Sequence, residues 1–256
     1  MDPLADWGLL GPDILLSHFV NPEKEDIEKL VKGGGHISTT PSTELLMSLG
    51  DIVCFRPELY PSSSLGIDCH SAISASIPEQ MRIAIHYGRG TRSAQILDSG
   101  KTPKSVGHNV ELAYNLGTIL GARAIGLQDK IGSLKVGKVA DIVLYEASSP
   151  GMACAGFEDP VGAIVLHASV GDVETVIVDG IVRKQNGKLV DVHVPVNDRK
   201  GEEKVLSWKD VVTNLLESRE EINKKAKEID YEKAKKSLVQ AFYLDESTFS
   251  DAPAFV

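Results

Sequence analysis

Cysteine is scarce in this chain: there are three, at positions 54, 69 and 154, an odd number with no C-x-x-C pair and no zinc-ribbon spacing. That excludes a disulfide framework and a thiolate metal site, and makes a reducing compartment the default. Blocks of Lys or Arg are also lacking, and 27 basic against 36 acidic residues give a formal net charge of −9. Such a chain offers little positive field to phosphate backbones or anionic lipid, so neither nucleic-acid nor membrane partners are expected. No apolar run approaches the roughly 20 residues that span a bilayer. The first residues carry Asp2 and Asp6, and Gly11-Pro12-Asp13 splits Leu9-Leu10 from Leu15-Leu16, so a basic n-region and a continuous h-region are both missing. Gly88-Arg89-Gly90-Thr91 has no strand-turn-helix context, and there is no P-loop or G-x-S-x-G element. A cytoplasmic protein is expected.

What is present is ordinary globular material: 256 residues, 42% hydrophobic and 25% charged, enough for one large or two smaller domains. A short apolar strand at residues 14–19 leads into a helix from Asn21-Pro22, with Ile27, Leu30 and Val31 at helical spacing and Gly33-Gly34-Gly35 as its stop. Strands follow at His36–Thr39, closing at Pro41, and at 65–68; helices are expected at 78–88 and 110–126. This alternation is the rhythm of parallel α/β structure. From 132 to 194 the texture turns to Val, Ile and Gly, with strands expected at 141–145, 163–167 and 173–184 and a turn at Asn186-Gly187 before 188–190.

After a polar bridge at 197–204, Ser207 and Asp210 form an approximate capping box for a long amphipathic helix. Its stripe is Trp208, Val211, Val212, Leu215, Leu216, Ile222, Ala226 and Ile229, which packs on the protein's own core or docks a second subunit. A mobile tail is expected over 245–256. The division expected is 1–131, 132–196 and 197–256: an α/β portion, a small β-domain portion, and a linker with helix and tail.

His18 and Asp68 each close an expected short strand just before a loop, where imidazole nitrogen and carboxylate oxygen could serve a divalent metal. On spacing alone, a single histidine after an apolar run reads as a satisfied core or loop residue. Asp68 and His70 stand two apart and would share a face if the strand continued, as a ligand pair or proton shuttle. Cys69 between them reads as a small buried side chain.

Five segments in order resemble the second half of the amidohydrolase superfamily, most closely its cytosine deaminase and chlorohydrolase-like branch. They are Gly11-Pro12-Asp13-Ile14-Leu15-Leu16-Ser17-His18, Thr40-Pro41-Ser42-Thr43-Glu44, Leu65-Gly66-Ile67-Asp68, Ala122-Arg123-Ala124-Ile125-Gly126-Leu127, and the Gly-bracketed stretch from Gly132 to Leu144. The resemblance covers about residues 9–190 and implies a partial TIM barrel, equivalent to strands 5–8, followed by part of a small β-sandwich. By position His18 resembles the fifth-strand metal-binding histidine. Asp68 resembles the eighth-strand aspartate, which contacts the metal and takes the proton of its bound water. The implied cofactor is a divalent metal, Zn or Fe, and the implied reaction is hydrolysis of a carbon–nitrogen bond in a small molecule.

Two departures from that family pattern stand in the sequence. The seven histidines, at 18, 36, 70, 86, 108, 167 and 193, contain no His-x-His pair, so the metal is expected to be incompletely ligated by this chain, and barrel strands one to four are expected to be absent. Where many members place a sixth-strand histidine of electrophilic role just before the Pro-x-Ser-Asn segment, this chain has Thr39-Thr40-Pro41, leaving Thr39 and Glu44, with His70, as candidate substrate-binding residues. Deaminase, amidase and dechlorinase remain open, and so does a non-catalytic remnant that acts through its C-terminal helix as an interaction or homo-oligomerising partner.

Overall fold

A computed structural model describes residues 2–196 and 203–249. The first six residues of the expected polar bridge, 197–202, and the end of the expected tail, 250–256, lie outside the described residues. The chain divides into two compact units, one up to Val190 and one from Asp191.

In the first unit, helix α1 (Asp2–Asp6) precedes strand β1 (Leu15–Ser17). Helix α2 (Lys24–Gly33) starts just after Pro22 and stops at Gly34, which adopts a left-handed cap with its N–H returned to Leu30 and Val31 carbonyls. Strand β2 occupies His36–Thr39 as expected, and Pro41 then opens a short helix, α3 (Pro41–Leu46), at the first helical position where proline costs no hydrogen bond. Strand β3 (Ser63–Leu65) lies upstream of the 65–68 span expected for it. Its serines explain the shift: Ser63 and Ser64 are buried because their hydroxyls donate to the Leu59 and Ile37 carbonyls, so the strand carries no apolar signal.

The three strands form one parallel sheet in the order β1-β2-β3, with Leu16 opposite Ile37 and Ser38 opposite Ser64. Leu30, Ile37, Val53 and Leu59 make the core beneath it. A span equivalent to barrel strands 5–8 requires four such strands; the described residues of this sheet supply three, and they do not close into a barrel.

Helix α4 (Ile77–Asp98) runs ten residues past the expected end at Gly88, and the single helix expected over 110–126 is two, α5 (Val110–Leu116) and α6 (Ile119–Ala124). The break falls at Gly117, where an added Cβ would stand 2.2 Å from Met81 Cε and 2.7 Å from Ile77 Cγ2. Met81, Ile85, Ala113 and Val165 pack there as a second core.

Strand β4 (Ile142–Tyr145) is followed by two helices, α7 (Ala155–Glu158) and α8 (Pro160–Leu166). The expected strand at 163–167 is thus helical: Asp159 accepts the Gly162 N–H at 2.9 Å, Pro160 occupies the first turn, and Val165 packs against α4 and α5. The expected 173–184 strand is a hairpin of β5 (Val173–Val178) and β6 (Ile181–Gln185), because Asp179 and Gly180 turn with φ of 52° and 74°. A second such turn at Asn186-Gly187 adds β7 (Lys188–Leu189), completing an antiparallel sheet β4-β5-β6-β7.

The stretch from Gly132 to Tyr145 serves this architecture. A Cβ on Gly132 would lie 2.5 Å from Ala122 Cβ, so only glycine lets the turn sit against α6. Lys138 Nζ then donates to the Gln128 and Ile131 carbonyls and to Ser133 Oγ, and Asp141 accepts the Asp179 N–H at 2.8 Å, tying the turn to the sheet.

The second unit holds an antiparallel pair, β8 (Val192–Pro195) and β9 (Glu203–Leu206), then helices α9 (Trp208–Ala226) and α10 (Tyr231–Ala241). Ser207 and Asp210 form the expected capping box, but the helix breaks after Ala226, so Ile229 falls beyond the continuous stripe. No described residue of either helix is buried, and Trp208, Leu215, Leu216 and Ile222 are each more than half exposed.

Candidate functional site

All three strands of the parallel sheet run the same way, so the loops leaving their carboxyl ends share one edge, the edge where open parallel sheets place their chemistry. His18 is the first residue after β1 and donates its N–H to the Ser38 carbonyl at 3.0 Å. Thr39 ends β2 and Thr40 follows it; Gly66 donates its N–H to the Thr39 carbonyl at 2.8 Å, and Asp68 lies two residues on. Both edge candidates leave their strands in left-handed backbone, His18 with φ 69° and Asp68 with φ 66°. Each such non-glycine residue costs about 1 kcal/mol, a strain that clusters at functional sites.

Behind His18 is a buried polar cluster. Its Nδ1 lies 2.9 Å from Thr40 Oγ1 and 3.6 Å from Glu44 Oε1. Glu44 is fully buried, and its Oε1 accepts the Thr40 N–H at 2.9 Å. The other carboxyl oxygen, Oε2, has no hydrogen-bond partner, and neither has the buried Thr39 hydroxyl. Burial pushes the Glu44 carboxyl up to about 7 against the lowering effect of the Thr40 N–H. Burial, and then the Glu44 charge, push the neighbouring Cys54 thiol up as well, so it stays protonated.

Glu44 stands on α3, which is pinned to α4 by a double hydrogen bond. Ser42 donates its N–H to Gln80 Oε1 at 2.9 Å, and Gln80 Nε2 donates to Ser42 Oγ at 2.8 Å, with Gln80 fully buried. Neither Thr40 nor Gln80 is marked as a site residue by pattern alone. The available signal for Thr40 is its place between a strand end and Pro41.

The structure therefore brings His18 and Glu44 together and places Thr39 in the same buried layer, but with its side chain unpaired. Asp68 and His70 are exposed. Because β3 ends at Leu65, the strand does not continue through Asp68 and His70, and the shared face expected of that pair does not form; His70 Nδ1 instead pairs with the Ile73 carbonyl at 3.2 Å. Cys69 is exposed too, not buried as expected, with its sulfur 2.8 Å from Ser71 Oγ.

A catalytic zinc site needs three protein ligands. Among the described residues no three His, Cys, Asp or Glu side chains converge to hold a metal ion. These residues alone do not fit one.

The Glu44 carboxyl links stability to pH. Its proton is held to about pH 7 in the folded chain and released near 4.5 in the unfolded one, so between those values the folded state binds more protons. Stability should fall as pH rises through that window, by up to about 3 kcal/mol. Urea denaturation at stepped pH checks this: Glu44→Gln should flatten the slope, and an unchanged slope would remove Glu44 as its source.

The sequence profile of the amidohydrolase family matches residues 58–190, just over half of the chain. The 5-methylthioadenosine/S-adenosylhomocysteine deaminase of Desulforudis audaxviator is 29% identical over 193 residues, 74% of this chain and 42% of that protein. The 5'-deoxyadenosine deaminase of Methanobrevibacter smithii is 29% identical over 189 residues, 73% of this chain and 41% of that one. The chain thus spans about two fifths of the length of the curated relatives it matches. An adenosine deaminase from Xanthomonas campestris with bound zinc superposes with a TM-score of 0.69 at 19% identity, over 87% of this chain and 45% of that chain. The zinc complex of atrazine chlorohydrolase from Arthrobacter aurescens superposes at 0.60 and 20% identity, over 73% and 39%. On the match to more than half of its length, the chain belongs to the amidohydrolase family.

Proposed function

We propose that this chain supplies the His18 and Asp68 side of a hydrolase that deaminates a small aminated ring compound, with the remaining donors coming from outside the described residues. The observation that carries the reading is the common carboxyl edge of β1, β2 and β3, on which both residues stand in left-handed backbone. In this reading residues 1–131 form the barrel portion, 132–196 the β-domain portion, and 197–256 the linker, helix and tail. The named activities of the deaminase relatives favour an aminopurine nucleoside such as 5'-deoxyadenosine or methylthioadenosine over a chlorinated ring or an amide.

The sheet order favours a different role for one residue. Only β2 lies between β1 and β3. If Asp68 follows the eighth barrel strand, β1 is the sixth, and His18 takes the place of the sixth-strand histidine and not of the fifth-strand metal ligand. The threonines at 39 and 40 then end the seventh strand. In deamination, water adds to the ring carbon that bears the amino group, a proton passes to the amine, and ammonia leaves. Asp68, exposed and without a partner among the described residues, is placed to take the water's proton, and His18 Nε2 to hydrogen-bond the reacting centre.

Zinc and ammonia assays test this. The purified chain alone should hold well under one zinc and release no ammonia from 5'-deoxyadenosine. Co-expression with the N-terminal half of a deaminase relative, carrying its His-x-His strand, should restore both, and Asp68→Asn should then cost roughly 100-fold or more in rate. One zinc per chain with turnover indifferent to Asp68→Asn would contradict the proposal.

The exposed apolar stripe of α9 supports a second reading, self-association through this helix whether or not the chain is catalytic. Light scattering should report a dimer or larger, reduced to monomer by Leu215→Glu with Ile222→Glu; a monomeric wild type would dismiss it.

A further inference from the structure

We propose that Glu44, acting with Thr40, is a positioning residue that fixes the tautomer of His18, holding the ring proton on Nδ1 so that Nε2 presents a lone pair to the carboxyl edge of the sheet. The inference deepens the reading of His18 as an edge residue and rests on it. It gives Glu44 a task that requires no contact with substrate, in keeping with its full burial beside the histidine.

Two proton arrangements satisfy the 2.9 Å contact between His18 Nδ1 and Thr40 Oγ1. Thr40 can donate its hydroxyl hydrogen to Nδ1, leaving N–H on Nε2, or it can accept from Nδ1–H. A hydroxyl serves in either direction, so this bond alone does not choose. Glu44 Oε1 lies 3.6 Å from the same nitrogen and is held there by the Thr40 N–H. With Nδ1 unprotonated, its lone pair would face a carboxylate oxygen; with Nδ1 protonated, the N–H dipole points its positive end at that charge. The neighbourhood sharpens the preference, because Oε2 has no partner to draw charge away and the whole group is out of water.

The backbone keeps the arrangement in register. Glu44 donates its own N–H to the Thr40 carbonyl at 3.0 Å, closing the first turn of α3, and the Ser42–Gln80 pair fixes that turn on α4. With the proton on Nδ1, Nε2 is a hydrogen-bond acceptor. It would orient an attacking water by accepting one of its hydrogens, the opposite of the electrophilic part that family resemblance gives to a sixth-strand histidine. Only hydrogen bonds and the position of one proton are involved, and no co-reactant is required.

Nitrogen-15 NMR of the His18 ring in the full chain, without metal or substrate and at about pH 8.5 so that Glu44 is ionised, reads the tautomer directly. Wild type should show Nδ1 protonated and Nε2 free. Glu44→Gln, which keeps the size and the acceptor for the Thr40 N–H, should shift the tautomer ratio toward Nε2–H by about tenfold or more, because it removes the charge that faces the ring dipole across 3.6 Å. A wild-type ring protonated on Nε2 overturns the proposal, as does a ratio unmoved by Glu44→Gln in a variant whose amide spectrum shows the native fold. Since no turnover is measured, loss of the deaminase reading through the zinc and ammonia assays would leave this result standing, and failure here would leave those assays untouched.

Discussion

A carboxyl group buried without full compensation is the constraint around which this site is built. Glu44 has one oxygen satisfied by the Thr40 N–H and one with no partner, and it sits against His18, the residue that follows β1. Placing such a group in the interior disfavours its charged form, which is why its proton is held to about pH 7. A fold that retains it accepts reduced stability at neutral pH. With it comes a histidine whose Nδ1 stands 2.9 Å from Thr40 Oγ1 and 3.6 Å from Glu44 Oε1.

The parallel sheet makes that arrangement possible. Strands β1, β2 and β3 run together, so His18, Thr40 and the loop bearing Asp68 leave from one edge, and each inherits its place from the hydrogen-bond register of its strand. The helices hold the edge in turn: α3 carries Glu44, and α4 grips α3 through Gln80. Farther along, the Lys138-stapled turn leads into the antiparallel sheet. Asp68 lies inside the span that matches the family, residues 58–190, while His18 and Glu44 precede it.

Much of this was legible in the residues, and the failures have physical causes. The glycine stop at Gly34 and the strand His36–Thr39 stood out because turn chemistry and β-branched residues agree there. Strand β3 was misplaced because Ser63 and Ser64 are buried through hydrogen bonds that no hydropathy pattern reveals. Residues 163–167 form a short apolar run that suits strand or helix, and Asp159-Pro160 decided for helix. The candidates His18, Glu44 and Asp68 were readable, but the contact of Glu44 with His18 was not. That contact spans 26 residues of sequence and exists only once β1 and β2 pair. Thr40 went unmarked for the same reason.

The most direct measurement is a carbon-13 titration of the Glu44 side-chain carboxyl in the folded chain. A midpoint near pH 7 is the result this account requires, because burial beside His18 and Thr40 must hold the proton that long. A midpoint near the ordinary glutamate value of about 4.3 would mean a solvated carboxyl. It would contradict the buried cluster on which the reading of His18 rests.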